Sequence, residues 1–227
     1  MKLFRYGIEL ERLRVDDIEM VREWRNADRV RLNMAYQQLI TADEQNAWFE
    51  TINNANNNYL IIKYKGEKIG LLNDKNINWK KRTSESGLFI GKPEYYATFV
   101  PLLVSVAGIQ ATFGVMGWNR HYARILKHNT QAINFNKMLG YQLVEGQEGI
   151  EHQLYEFTYA NFLQKAGKIS KAVASLAGPD KSIRFLIEEA DYKSGIGERF
   201  ETALNNPIIP LKQSITPEGL WFEGSLE

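Results

Sequence analysis

Residues 84–141 constrain the fold of this chain more than any other stretch. They read SESGLFIGKPEYYATFVPLLVSVAGIQATFGVMGWNRHYARILKHNTQAINFNKMLGY. This pattern predicts a strand, a short loop, a long apolar helix, a second strand and a helix that Asn129 initiates. Two strands joined through a helix of this length predict a parallel, right-handed crossover. Because the first helix directly follows a strand, we expect its free backbone N–H groups to offer a site for an anion.

The rest of the chain predicts an α/β fold. Thr41 and Glu44 form a capping box that opens a helix. Short turns separate the strands that precede the crossover, as in an antiparallel meander. The predicted strands are residues 8–13, 59–64, 68–78, 83–91, 121–126, 141–145 and 153–158. Towards the C-terminus we expect helices over residues 159–176, 182–190 and 198–204.

Composition excludes several classes of protein. The 227 residues carry a formal net charge of +1 and no cysteine. The near-neutral net charge predicts no nucleic-acid or membrane partner. The absence of cysteine excludes a disulfide framework and a cysteine nucleophile. Residues 99–115 approach the length of a membrane span, but Ser105, Gln110 and the lack of basic flanks favour a core helix. Charges interrupt the apolar residues of the first segment, so we expect no secretory signal and a cytoplasmic location.

Two short blocks resemble a known family. Asn-Thr-Gln-Ala-Ile at 129–133 and Lys-Met-Leu-Gly-Tyr at 137–141 are similar to the pattern of the GNAT superfamily of acetyl-CoA-dependent N-acetyltransferases. Trp-Arg-Asn at 24–26 resembles its amino-sugar branch, which lies close to the ribosomal-protein N-terminal acetyltransferases. The resemblance covers residues 8–158. It implies a mixed, mostly antiparallel sheet in which a central parallel strand pair splays apart between flanking helices.

The resemblance also implies acetyl-CoA as the acyl donor. Its pantetheine arm would lie between the splayed strands and pair with the backbone of residues 86–90. Its pyrophosphate would lie at the N-terminus of a helix beginning near Tyr96. Asn129 would contact the arm, cap its own helix, or do both. The implied cofactor-binding residues are Leu88, Phe89, Ile90, Tyr96, Ala97, Thr98, Phe99 and Asn129.

Two positions depart from the family pattern. The glycines of the family's phosphate loop are absent from residues 96–101, and Phe99 stands at the place of a central one. Asn136 stands where the family often has a general-acid tyrosine, and an amide does not donate a proton to a thiolate at neutral pH. These departures leave open a GNAT-like binding or scaffold protein without acyl transfer.

The resemblance places Glu85 at a position that in the family often serves as, or lies near, the general base; the alternative interpretation is a solvent-facing strand carboxylate. The resemblance places an acceptor wall on a loop near the cofactor cleft. Arg25 and Arg31 would suit a nucleotide-sugar diphosphate, or would be ordinary surface arginines. The predicted acceptor-binding residues are Arg25, Asn26, Arg31, Asn33 and Met34. His121 and His152 have no partner pattern, so no metal site is predicted.

We predict a GNAT-like domain over residues 1–158 and a helical or irregular extension over residues 159–227. The extension fits a lid, a small docked subdomain or the dimer arm of a homodimer, because its apolar side chains need covering. The predicted function is acetylation of a primary amine on a small acceptor, with a nucleotide-linked amino sugar preferred. Acetylation of protein N-termini and a non-catalytic binding role are the alternatives.

Overall fold

A computed structural model describes residues 1–178 and 180–226. Its strands are β1 (Lys2–Arg5), β2 (Ile8–Arg12), β3 (Asn58–Tyr64), β4 (Glu67–Asn78), β5 (Thr83–Ile90), β6 (Arg120–Leu126), β7 (Gln142–Leu143), β8 (His152–Thr158), β9 (Ser182–Ile187), β10 (Lys212–Thr216) and β11 (Gly219–Ser225). Its helices are α1 (Ile18–Asn26), α2 (Asp28–Arg31), α3 (Ala42–Ile52), α4 (Pro93–Tyr96), α5 (Val100–Ile109), α6 (Thr130–Leu139), α7 (Tyr159–Ala177), α8 (Glu189–Tyr192) and α9 (Ile196–Leu204).

One sheet contains every strand of the described residues, in the order β10-β11-β9-β1-β2-β3-β4-β5-β6-β8-β7. All neighbouring strands in it are antiparallel except β5 and β6, which run parallel. The crossover between them passes through α4 and α5. This arrangement confirms the predicted mixed, mostly antiparallel sheet with a central parallel pair flanked by helices.

The two faces of the sheet bury different helices, because successive side chains of a strand point to opposite faces. Ile61 and Leu71 pack with α1 and α3 in a smaller core. Ile62 and Leu72 face the larger core that holds α5. Almost every residue of α5 is apolar, and the π-helical turn Gln110–Val115 that continues it is buried. Residues 100–115 therefore form a core helix as predicted, and Phe99 lies exposed just before it. Within the described residues, none of the helices has the length and apolarity that crossing a bilayer requires.

The C-terminal part of the chain adds strands to the same sheet. Residues 182–190 were expected to be helical, and this is wrong: they form β9 and the start of α8. β9 pairs with β1 on one side and with β11 on the other. Its alternation places Ile183 and Phe185 in the larger core, and this burial decides for a strand. The division between residues 1–158 and 159–227 stays a prediction.

Candidate functional site

The parallel strands β5 and β6 separate within the sheet. They pair only at Thr83 with Arg120, Ser84 with His121 and Glu85 with Tyr122. Beyond Glu85, β5 keeps its bonds to β4 but has no partner towards β6. The predicted splay is therefore confirmed, and the backbone groups of residues 86–90 that point towards β6 are left to bind an extended ligand.

Glu85 lies at the vertex of this splay, as the last paired residue of β5. One carboxylate oxygen lies 2.9 Å from Nζ of Lys75, and the other lies 3.5 Å from Nε of Arg124. The Glu85 side chain is 14% exposed, which is low for a carboxylate on a sheet surface. A half-buried carboxylate held between two cations at the vertex is placed to meet a group that enters the splay.

Tyr59 connects Glu85 to the helices above the sheet. Its ring packs edge-on against Trp48 of α3, with 5.1 Å between centroids. Burial raises the pKa of the Tyr59 phenol, the nearby charge of Arg25 lowers it, and the charge of Glu85 raises it further. Arg25 on α1, Tyr59 on β3 and Glu85 on β5 therefore lie around one region of the sheet face that α1 and α3 cover.

The predicted phosphate site differs from expectation at the helix start. The long helix α5 begins at Val100, whereas Tyr96 ends the short helix α4. Its first N–H groups are not free: Val100 donates to Thr98 Oγ1 (3.2 Å), Pro101 has no N–H, and Leu102 donates to the Phe99 carbonyl (3.1 Å). The first N–H groups of α5 are therefore engaged or absent, and binding of the pyrophosphate at this turn stays a prediction.

The predicted cofactor residues lie at the open end of the splay. Leu88 and Ile90 pack into the larger core, and Phe89 packs edge-on against Trp24, 6.5 Å between centroids. Their side chains are thus engaged, and their backbone is what remains for a cofactor. Across the mouth of the gap, the Tyr96 hydroxyl donates to Gln131 Oε1 at 2.9 Å. Ala97, Thr98 and Phe99 lie on the exposed turn before α5, and their role in binding stays a prediction.

Asn129 caps α6 as predicted, since its Oδ1 accepts from the N–H of Ala132 at 3.0 Å. Asn136 donates from Nδ2 to the carbonyl of Ala132, one turn earlier in the same helix, at 2.9 Å. The amide that stands in place of a general-acid tyrosine is therefore bound to its own helix. Contact between Asn129 and a cofactor stays a prediction.

The predicted acceptor wall divides into engaged and unengaged side chains. Asn26 makes two hydrogen bonds with the backbone of Ile40: its Nδ2 donates to the carbonyl at 2.9 Å, and its Oδ1 accepts from the N–H at 2.8 Å. Arg31 donates to the carbonyl of Gln37 (2.5 Å) and to Asp28 (2.6 Å), and Asn33 donates to the carbonyl of Arg29 (2.9 Å). These contacts hold the loop between α2 and α3. Met34 is partly exposed on that loop.

Arg25 makes no side-chain hydrogen bond or ion pair among the described residues, whereas Arg31 donates from Nη1 and Nη2 and leaves only its Nε without a partner. The Nε of Arg25 is buried. Burial lowers the pKa of the Arg25 guanidinium, and the nearby charge of Tyr59 opposes that shift. Arg29, which sequence reasoning missed, donates to the carbonyl of Gly91 at the end of β5. Of the two predicted acceptor-binding arginines, Arg25 is therefore the one whose guanidinium makes no hydrogen bond to the loop.

Sequence reasoning also missed a buried polar cluster on the opposite face of the splay. Ser86 donates to Asp74 and lies 3.3 Å from Nδ1 of His121. Burial lowers the pKa of His121 and raises that of Tyr141, which contacts Ser86. The alternation of β6, with His121 inward and Tyr122 outward, is a signal that would have placed His121 in the interior.

The comparisons with known proteins agree with this geometry. The spermidine N-acetyltransferase of Vibrio cholerae, solved with CoA and spermine, has 16% identity and a TM-score of 0.57, over 70% of this chain and 99% of that one. FdhC, a nucleotide-linked sugar GNAT, has 20% identity and a TM-score of 0.58, over 75% and 97%. The aminoglycoside acetyltransferase AAC(6')-Ib, solved with coenzyme A, has 14% identity and a TM-score of 0.59, over 70% and 99%.

At these identities the solved structures establish the fold alone. No curated protein matches the chain in sequence at a significant level. The family model described as Acetyltransferase (GNAT) domain matches residues 8–142, which is more than half of the 227 residues. These residues contain the meander, the splayed strands and the Asn129 helix described above. The chain therefore belongs to the GNAT acetyltransferase domain family.

Proposed function

We propose that this protein is an acetyl-CoA-dependent N-acetyltransferase that acetylates the primary amine of a small acceptor, with a nucleotide-linked amino sugar preferred. One observation carries the proposal: Glu85 lies where β5 and β6 separate, between Lys75 and Arg124. The splay accepts the pantetheine arm along residues 86–90, which directs the thioester towards its vertex. A base at that vertex meets the amine that attacks the thioester.

In this role Glu85 accepts the proton that the acceptor amine loses as its nitrogen bonds to the thioester carbon. The C–S bond then breaks, and the departing thiolate takes a proton from water, because the Asn136 amide does not supply one. Lys75 and Arg124 hold the carboxylate in place through their ion pairs. The fixed position supports catalysis, since a base acts only within hydrogen-bond reach of the proton it removes.

A second candidate is a binding or scaffold protein that retains the fold without acyl transfer. The occupied N–H groups at the start of α5 favour it, because they remove the backbone site at which the cofactor phosphates were expected. Calorimetry with acetyl-CoA and with CoA separates the two candidates. Binding of both ligands supports the enzyme, and no binding up to millimolar concentration contradicts it.

Thiol release over a panel of amino sugars, nucleotide-linked amino sugars and peptides then narrows the acceptor. Thiol release with free or nucleotide-linked amino sugars, and none with peptides, supports the proposal. Release with peptides alone replaces it by acetylation of protein N-termini, and binding without any release favours the scaffold.

A further inference from the structure

We propose that Arg25 binds an anionic group of the acceptor, so that the preferred substrates are primary amines that also carry a carboxylate or a phosphate. The inference deepens the proposed acetyl transfer and rests on it, because it identifies the chemical class of the acceptor. Arg25 then acts as a binding residue near Glu85, and the two side chains together select small molecules that carry both an amine and an anionic group.

The first argument is the missing partner of Arg25. Arg5 donates to Gln110, Lys181 and Ser182, and Arg12 donates to the carbonyl of Asn57 and to Asn53. Arg29 and Arg31 each leave one buried nitrogen without a partner but donate from at least one other nitrogen. Arg25 has a buried Nε with no acceptor among the described residues. Arg25 as a residue is partly exposed, so the remainder of its guanidinium stays accessible while the buried Nε has lost water without gaining an acceptor. An anion that reaches this guanidinium would supply the missing acceptor.

The second argument is the place of Arg25 in the fold. It lies on α1, one residue after Trp24, whose ring packs against Phe89 of β5. Trp24, Tyr59 and Phe89 pack in the smaller core. The register of β3, β4 and β5 places Tyr59 and Glu85 on the sheet face that this core covers, because alternate residues of a strand share a face. An acceptor whose amine reaches Glu85 therefore presents its neighbouring atoms to Tyr59 and Arg25.

The third argument is the balance of charge around the vertex. The carboxylate of Glu85 is shared by Lys75 and Arg124, so it does not neutralise Arg25. The group formed by Arg25, Lys75, Arg124 and Glu85 carries more positive than negative charge. This excess attracts anionic acceptors and repels polycations such as spermidine.

Guanidinium chemistry specifies the ligand. The planar fork of an arginine matches the two oxygens of a carboxylate or a phosphate, and the Tyr59 hydroxyl adds a further donor. Both anions fit this description. A carboxylate would come from an amino acid, whereas a phosphate would come from a phosphorylated or nucleotide-linked amino sugar.

The test compares acceptors that differ only in the anion. Glucosamine phosphate is paired with methyl glucosaminide, and glycine is paired with glycinamide, each assayed with the full chain and acetyl-CoA. We expect Arg25→Gln to raise the KM of the charged member that the wild type prefers by about tenfold to a hundredfold, and to leave the KM of its neutral partner unchanged. The pair that responds identifies the phosphate or the carboxylate as the source.

Two further variants separate recognition from folding. Arg25→Lys keeps the charge but loses the fork, so its KM for the charged amine lies between wild type and Arg25→Gln. Arg199→Gln removes an exposed arginine of the C-terminal helix α9, and it leaves both KM values unchanged. Calorimetry of the charged amine on the CoA-loaded protein measures the same loss without turnover.

An equal rise of KM for charged and neutral amines in Arg25→Gln would overturn the inference. An unchanged affinity of Arg25→Gln for the charged amine would overturn it as well. Turnover of neutral amines alone keeps the proposed function and removes the anion site. Binding of the charged amine that depends on Arg25, without any acetyl transfer, keeps the anion site and removes the proposed function.

Discussion

Glu85 and Lys75 form an ion pair of 2.9 Å across β4 and β5, at the position where β5 loses its pairing with β6. The pair fixes the carboxylate that the resemblance to the family suggests as the general base. The strand register places Glu85 at the vertex, and its carboxylate could accept a proton there. It therefore supplies the most direct test of catalysis.

Replacing Glu85 by Gln keeps the size of the side chain and removes its ability to accept a proton. We expect the rate of acetyl transfer at neutral pH to fall by about 10²–10⁴-fold and the acidic limb of the pH–rate profile to disappear, because general-base catalysis contributes that much. Steady-state thiol release measures both. Glu156→Gln removes a carboxylate that pairs with Arg120 on the same sheet face, and it serves as the control. An unchanged rate and profile for Glu85→Gln would exclude the base.

Hydrogen exchange tests the cofactor gap. The amides of residues 86–90 that point towards β6 have no strand partner, so they exchange freely unless a ligand covers them. We expect CoA to slow amide exchange in residues 86–90, since an extended pantetheine arm exchanges hydrogen bonds with the backbone of the strand. Mass spectrometry of the exchanged peptides measures the change, with β9 as the internal control. Protection elsewhere and none in residues 86–90 would mean that CoA binds outside the splay.

Two substitutions at Asn129 separate its capping role from cofactor contact. Asn129→Ala removes the side chain that accepts from Ala132 and should lower the free energy of unfolding by about 1 kcal/mol. Asn129→Ser retains an N-cap acceptor and should stay close to wild type in denaturant unfolding. If Asn129 also contacts the cofactor, CoA affinity falls in both variants. Wild-type affinity in Asn129→Ser would restrict the residue to capping.

His121 should make stability depend on pH. Burial lowers its pKa from the ordinary value of 6.5, so below that pH the unfolded chain binds a proton that the folded chain resists. The free energy of unfolding therefore falls as the pH drops from about 6.5 towards the folded-state pKa, by at most about 1.4 kcal/mol per pH unit from this group.

Urea unfolding across this pH window checks the slope. His121→Gln, which keeps a polar side chain beside Ser86, should flatten it. A wild-type slope in His121→Gln would assign the acid sensitivity to other groups.

The C-terminal strands test where the domain ends. Phe185 of β9 is 1% exposed and packs in the larger core beside residues of β1. Phe185→Ala should lower the free energy of unfolding by about 3–5 kcal/mol, and a chain that ends at Thr158 should lose cooperative thermal melting. Ile215 on β10 is 84% exposed, so Ile215→Thr should melt as wild type does. Cooperative melting of the shortened chain would establish residues 1–158 as an independent domain.

The sequence determined the local features of this protein. The capping box of Thr41 and Glu44, the cap at Asn129 and the Gly140 end of α6 depend on neighbouring residues, and all are present. Gly140 has a φ of +112°, which glycine adopts without steric cost. The meander and the crossover followed from hydrophobic periodicity and loop length. Local rules suffice where the partner of a group lies within one turn or one hairpin.

Tertiary structure decided the rest, because the deciding partners are distant in the chain. Residues 182–187 form a strand through pairing with β1, some 180 positions earlier, which no local pattern reports. Asn26 and Arg31 donate to the carbonyls of Ile40 and Gln37, whereas the buried Nε of Arg25 has no partner among the described residues. Composition identified the candidate cations, and only packing determined which of them remains available to a ligand.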